Sequence, residues 1–102
     1  MITMSEEFQV AVPPSFLALF VEPGRIKPNQ PLAVIRERYG YCEDLASLLV
    51  ETAKARRAQL GITESDVLAR IESGLREGDV VGSAQEAEWV LTRLAELLDW
   101  QR

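Results

Sequence analysis

The fold of this chain is decided by the stretch Cys42-Glu-Asp-Leu-Ala-Ser-Leu-Leu-Val-Glu-Thr-Ala-Lys-Ala-Arg-Arg-Ala-Gln-Leu60, which Gly61 closes. Its apolar and small residues recur at steps of three and four, a spacing typical of an amphipathic helix. Acidic Glu43 and Asp44 fall in the predicted first turn and basic residues in the last, where each suits the helix dipole. The residues predicted to share the inner face are Leu45, Leu48, Leu49, Thr52, Ala53 and Arg56.

Other helices are predicted on both sides of this central one. A short apolar helix follows Pro13 and Pro14, and a type II turn at Glu22-Pro-Gly-Arg25 leads into an extended strap. Because glycine costs about 1 kcal/mol relative to alanine inside a helix, we expect a break or sharp kink at Tyr39-Gly-Tyr41. The predicted helices cover residues 15–21, 31–39, 42–60, 64–77 and 84–99.

The last two helices begin with recognisable capping sequences. Thr63-Glu-Ser-Asp66 and Ser83-Ala-Gln-Glu86 each place a hydroxyl residue three positions before an acid, the spacing of a capping box. Inward positions are predicted at Val67, Leu68, Ile71 and Leu75, and at Ala87, Val90, Leu91, Leu94, Leu97 and Leu98; outward positions are predicted at Glu86, Arg93 and Glu96.

These elements predict an all-α fold, a small helical bundle of four to five helices. A chain of 102 residues is long enough for one domain with its own core. We therefore expect a single helical domain over residues 12–102. Residues 1–11 show little apolar periodicity and are expected to form a flexible N-terminus.

The composition excludes most of the common kinds of catalytic site. The chain has no histidine and a single cysteine, Cys42, which we interpret as a buried apolar thiol. No Gly-x-Ser-x-Gly nucleophile motif or P-loop is present. The adjacent acids at Glu43-Asp44 and Glu64 to Asp66 are interpreted as helix-dipole partners rather than as metal ligands. The sequence thus predicts a non-enzymatic protein without a metal or a cofactor.

Charge and hydropathy bear on partners and location. Sixteen acidic and eleven basic residues give a net charge of −5, which disfavours nucleic acid as a partner. No apolar run approaches the length of a membrane span, and no basic region precedes an apolar N-terminal stretch. A single cysteine gives no disulfide framework. We therefore expect a cytoplasmic protein that uses neither nucleic acid nor a membrane.

Two surfaces are candidates for binding. The first combines the short apolar helix with the expected bend, and would bind a protein partner or form a homodimer; its residues are Phe16, Leu17, Phe20, Arg36, Tyr39 and Tyr41. The same aromatic residues could instead cap the core. The second candidate is a basic group that would surround a small anionic ligand or a nucleotide; its residues are Arg25, Lys27, Arg36 and Arg38.

The run Val12-Pro-Pro-Ser-Phe-Leu-Ala-Leu-Phe-Val-Glu-Pro-Gly-Arg25, with Ile35 to Tyr39 and Cys42-Glu-Asp-Leu-Ala46 after it, resembles a family of short uncharacterised bacterial proteins. Some of its members carry the label "ATPase with chaperone activity". The resemblance covers residues 12 to about 75 and implies a cytosolic bacterial protein, with no catalytic residues to carry over. Combined with the missing catalytic chemistry, it predicts an interaction module accessory to a chaperone or another assembly.

Overall fold

The computed structural model describes residues 11–102, and within this range all regular secondary structure is helical. Helix α1 spans Pro14–Leu17 and continues as a 3₁₀ turn over Ala18–Phe20. Helix α2 spans Leu32–Leu60, α3 spans Glu64–Glu77 and α4 spans Ala84–Leu98. The all-α prediction is confirmed. The expectation of a flexible segment over residues 1–11 falls almost entirely outside the described residues.

The predicted break at Tyr39-Gly-Tyr41 is wrong, because α2 runs through it as a single helix of 29 residues. The helix cost of Gly40 is about 1 kcal/mol, and contacts of its two neighbours offset it. The Tyr39 ring lies 5.6 Å from that of Phe16, and the Tyr41 hydroxyl donates a hydrogen bond to the Val80 carbonyl. Each contact fixes the backbone on one side of the glycine.

The chain separates into two compact units, and the division falls inside α2. The first unit ends at Gly40 and the second comprises Tyr41–Arg102. We describe them as the first unit and the second unit. The single domain predicted over residues 12–102 stays a prediction.

In the first unit, prolines and turns direct the chain. Pro13 accepts the first amide hydrogen bonds of α1 and has no donor of its own to satisfy. The predicted type II turn is confirmed: Gly24 has a φ of +79°, and the Arg25 amide donates to the Glu22 carbonyl at 3.0 Å. Residues 22–30, which include this turn, form the strap, and the Asn29 amide donates to the Phe20 carbonyl at 2.6 Å. This hydrogen bond holds the strap against the 3₁₀ turn.

In the second unit, α3 packs against α4 through their apolar stripes. The Thr63 hydroxyl accepts a hydrogen bond from the Asp66 amide and the Ser83 hydroxyl from the Glu86 amide, each at 3.1 Å. These caps explain why both helices begin where the sequence predicts. The buried side chains of the two helices are Val67, Leu68, Ile71, Leu75, Glu86, Ala87, Val90, Leu91, Leu94 and Ala95.

The buried stripe on the second half of α2 is built from small residues. Cys42, Ala46 and Ala53 are fully buried, whereas Leu48 is 73% exposed. The predicted inner positions of Leu48 and of Arg56, which is also exposed, are therefore wrong. At 100° per residue, the stripe through Cys42 and Ala46 leaves Leu48 on the opposite side of the helix. The fully buried side chains of this face are a thiol and methyl groups rather than leucines.

Candidate functional site

The aromatic residues of the predicted partner surface form a cluster within the first unit. The Phe16 ring is fully buried and lies 5.6 Å from the rings of both Phe20 and Tyr39. Such tilted and edge-on arrangements suit the quadrupoles of aromatic rings. We call Phe16, Phe20 and Tyr39 the aromatic cluster. Phe16 belongs to the core of this conformation, so only the outer members can face a partner.

The other predicted partner residues differ in their accessibility. Leu17 and Arg36 are half-buried, as are Phe20 and Tyr39. Tyr41 is exposed, but its hydroxyl donates to the Val80 carbonyl within the second unit. Leu17 directly precedes the 3₁₀ turn that leads toward the strap, and Phe20 is the last residue of that turn. They are the part of the predicted surface that adjoins the strap.

The strap carries an exposed apolar residue that the sequence analysis did not single out. Ile26 is 93% exposed, and its neighbours Arg25 and Lys27 are exposed as well. The strap is held at both ends, by the turn at Gly24 and by the Asn29 hydrogen bond to Phe20. The sequence did contain a signal for this exposed residue. Ile26 is a lone apolar residue between two cations, in a segment that is rich in proline and has no periodicity.

The predicted anion-binding residues are brought together only in part. Arg25 and Lys27 line an open cavity of about 300 Å³ in the strap, together with Glu22, Pro28 and Asn29. Arg36 and Arg38 are half-buried on α2 and do not line it. Because Glu22 contributes negative charge to the same cavity, the arrangement offers two cations with one opposing carboxylate.

Glu86 was predicted to point outward, and that prediction is wrong. Its side chain is only 4% exposed. Its Oε1 accepts a hydrogen bond from the Gly82 amide at 2.9 Å and one from the Cys42 thiol at 3.8 Å. The carboxylate therefore serves the start of α4 and also links this helix to α2. Burial of an acid is tolerated when hydrogen bonds replace its hydration.

Glu43 also has a different role from the predicted one. Since α2 begins at Leu32, Glu43 lies in the middle of a helix, not in its first turn. Its carboxylate accepts two hydrogen bonds at 3.0 Å, from Nε and Nη2 of Arg93. This pair raises the pKa of the Arg93 guanidinium, with Glu96 and the nearby charges adding to the effect. The bidentate geometry joins α2 to α4.

A cleft in the second unit combines two cations with an indole ring. Lys54, Arg57 and Ala58 on α2 line it together with Trp100, and its volume is about 480 Å³. The guanidinium carbon of Arg57 lies 5.9 Å from the centre of the Trp100 ring, within cation–π distance. Trp100 was not among the binding residues predicted from the sequence.

Groups of three or more potential metal ligands from His, Cys, Asp and Glu are absent from the described part of the chain. Over residues 11–102, no helix has both the length and the apolar character needed to cross a membrane.

In the comparison with known proteins, the chain matches no family model, no curated protein and no solved structure. The resemblance drawn from the motifs of residues 12–75 stays a prediction. The candidate sites therefore depend on the geometry of the chain's own residues.

Proposed function

We propose that this chain is a non-enzymatic, cytosolic helical interaction module that serves a chaperone or another assembly as an accessory protein. The observation that carries the proposal is the exposure of Ile26, at 93%, in a strap of defined conformation. A type II turn and the Asn29 hydrogen bond restrict the strap before any partner binds. Such preorganisation lowers the entropy cost of binding.

The chemistry around Ile26 indicates the kind of protein partner that would fit. Arg25 and Lys27 flank it in sequence and are exposed, so an apolar side chain is presented between two positive charges. A partner surface with an apolar pocket bordered by carboxylates is complementary to this arrangement. Since the whole chain has a charge of −5, the strap is a local exception that would orient an acidic partner.

The strap also adjoins the surface predicted from the sequence. The Phe20 carbonyl accepts the hydrogen bond from Asn29, so the strap is fixed to the segment that carries Leu17 and Phe20. Both side chains are half-buried and can extend the apolar contact around Ile26. We propose that Ile26 is the central contact and that Leu17 and Phe20 border it. Arg36 and Tyr39 remain proposed outer contacts in the same unit, whereas the role of Tyr41, in the second unit, stays a separate prediction.

The proposal is tested by capture from the cytosol of the source organism with three forms of the protein: wild type, Ile26→Asp and Leu48→Asp. Leu48 is the matched control, because it is also highly exposed but lies on α2 in the second unit. We expect wild type and Leu48→Asp to retain the same stoichiometric protein, and Ile26→Asp to lose it. Circular dichroism verifies that both variants keep their helices. Equal retention by all three forms, or no partner for wild type, would contradict the proposal.

A second copy of the chain is the other candidate protein partner. Light scattering distinguishes it, because a homodimer would have twice the chain mass of 11.4 kDa. If Ile26 mediates that contact, Ile26→Asp restores the monomer mass and Leu48→Asp does not. A dimer that persists in Ile26→Asp would place the contact elsewhere.

The alternative function is that of a regulatory protein responsive to a small anion or a nucleotide. The cavity shared by Arg25 and Lys27 favours it, since both cations can approach one phosphate. Calorimetric titration with ATP and Mg²⁺ is the test. This function would be supported by a saturable heat of binding at micromolar ligand that disappears in Arg25→Gln. The absence of any heat of binding at millimolar ligand would exclude it.

A further inference from the structure

We propose that the cleft lined by Lys54, Arg57, Ala58 and Trp100 is a binding site for a small organic carboxylate with an apolar body. This site belongs to the second unit and is independent of the strap. Its volume of about 480 Å³ falls in the range of small-molecule sites. The lining combines the three kinds of group that such a ligand needs: two cations, a methyl group and an aromatic ring.

The positions of the α2 residues follow from helical spacing. Lys54, Arg57 and Ala58 are separated by three and four residues, so they lie on one face of α2. The two basic side chains can converge on one carboxylate from adjacent turns. Ala58 leaves space beneath them because its side chain is a single methyl group.

Trp100 is held against this face by the end of α4. Asp99 has a φ of +60°, the left-handed conformation that ends many helices, and it is the one non-glycine residue with positive φ in residues 11–102. The Trp100 amide then donates to the Ala95 carbonyl at 2.9 Å, and the Asp99 amide to the Glu96 carbonyl at 3.1 Å. This pair of bonds is a Schellman motif. The indole is thus positioned by the backbone.

The two cations keep hydrogen-bonding capacity for a ligand. Arg57 lies 3.4 Å from the Glu64 carboxylate, and Lys54 lies 3.8 Å from that of Glu51. Both distances exceed those of charge-assisted hydrogen bonds, so these exposed pairs are weak. Glu64 nevertheless orients the guanidinium near the Trp100 ring. A ligand carboxylate can approach Arg57 while its apolar body covers the indole and Ala58.

The probe for this site is 4-phenylbutyrate, and its neutral amide is the matched ligand control. Titration is followed through the indole N–H signals of the two tryptophans in proton–nitrogen NMR spectra, assigned with Trp100→Phe. We expect the Trp100 signal to shift saturably at millimolar probe, while Trp89, which does not line the cleft, serves as the internal reference. The amide should bind about tenfold more weakly, because it lacks the charge-assisted hydrogen bonds.

Protein variants complete the test. Arg57→Gln should weaken binding of the probe at least about fivefold through loss of the charge-assisted contact. Arg56→Gln is the control, because Arg56 is the adjacent cation on α2 but does not line the cleft. The proposal is overturned if the Trp100 signal does not move at millimolar probe, if acid and amide bind equally, or if both arginine variants weaken binding to the same extent.

Discussion

The two units of this chain are stabilised by different kinds of interaction. The second unit buries long apolar stripes of α3 and α4 and adds hydrogen-bonded links such as Arg93 to Glu43. Among its described residues, the first unit fully buries only Phe16 and Ile35, and it relies on prolines, a turn and the aromatic cluster. Among the described residues, those of the first unit form the smaller core, and the same residues include the exposed strap. The proposed partner surface thus lies in the unit whose described residues bury the fewest side chains.

The largest expected effect comes from emptying the core of the first unit. Phe16→Ala should lower the free energy of unfolding by about 3–5 kcal/mol, because it leaves a cavity beside Phe20 and Tyr39. Ile26→Ala, in the same unit, should change stability by less than about 0.5 kcal/mol, because its side chain is almost wholly exposed. Urea unfolding followed by circular dichroism measures both. Similar losses would mean that Ile26 is packed and not free for a partner.

The second unit should respond similarly when a buried leucine is truncated. Leu94→Ala should cost about 2–5 kcal/mol, since Leu94 is fully buried on α4. Leu97, three residues further along the same helix, was predicted to point inward but is 38% exposed. Leu97→Ala is therefore the matched control with a smaller loss. The same urea experiment applies. If Leu97→Ala were the more damaging variant, the assigned inner face of α4 would be incorrect.

Replacing Gly40, which lies where the two units divide, should stabilise the protein. A Cβ atom added there meets no atom within 4 Å, and the residue is helical. Gly40→Ala should therefore raise the free energy of unfolding by about 1 kcal/mol through helix propensity. Gly61→Ala is the contrasting control, because Gly61 has a φ of +64° and should lose stability when substituted. A destabilised Gly40→Ala would show that the helix is interrupted there after all.

The smallest expected effect concerns pH and an exposed ion pair of the second unit. The hydrogen bond from Arg102 lowers the pKa of Glu88 below its ordinary value of 4.5, with Arg76 adding to it. A carboxyl with a lowered folded pKa stabilises the fold above its unfolded pKa, and this contribution is lost as pH falls through the folded pKa. Glu88→Gln should thus be slightly less stable than wild type at pH 7.

The difference between wild type and Glu88→Gln should disappear in strong acid, below both pKa values. Thermal unfolding midpoints at pH 7 and in strong acid test this. If the two proteins differed in unfolding midpoint by the same amount in both conditions, the ionised carboxylate would not be the cause of that difference. The effect is expected to be small because Glu88 is about half exposed.

Local signals in the sequence predicted those elements that local interactions determine. The capping sequences at Thr63 and Ser83 placed the starts of α3 and α4 correctly, because a cap is formed by residues within one turn. The turn at Gly24 was equally predictable, since its φ requires glycine. Fold class followed from the apolar periodicity of the same segments.

Features that depend on distant residues were not predicted. The break expected at Gly40 does not occur, because Tyr39 and Tyr41 each contact residues far away in sequence. Glu86 is buried because the thiol of Cys42, on another helix, adds a hydrogen bond to the one from the nearby Gly82 amide. The exposure of Ile26 likewise depends on how the strap folds back onto Phe20. These features could be identified only from the structure.

The central claim is that the strap is the surface through which this chain binds another protein. It is tested most directly by replacing Ile26, and separately Leu48, with a photo-crosslinking benzoylphenylalanine and irradiating living cells of the source organism. We expect a discrete covalent adduct with a second protein, or with a second copy of this chain, from position 26 and not from position 48. No adduct at position 26, or the same adducts from both positions, would contradict the claim.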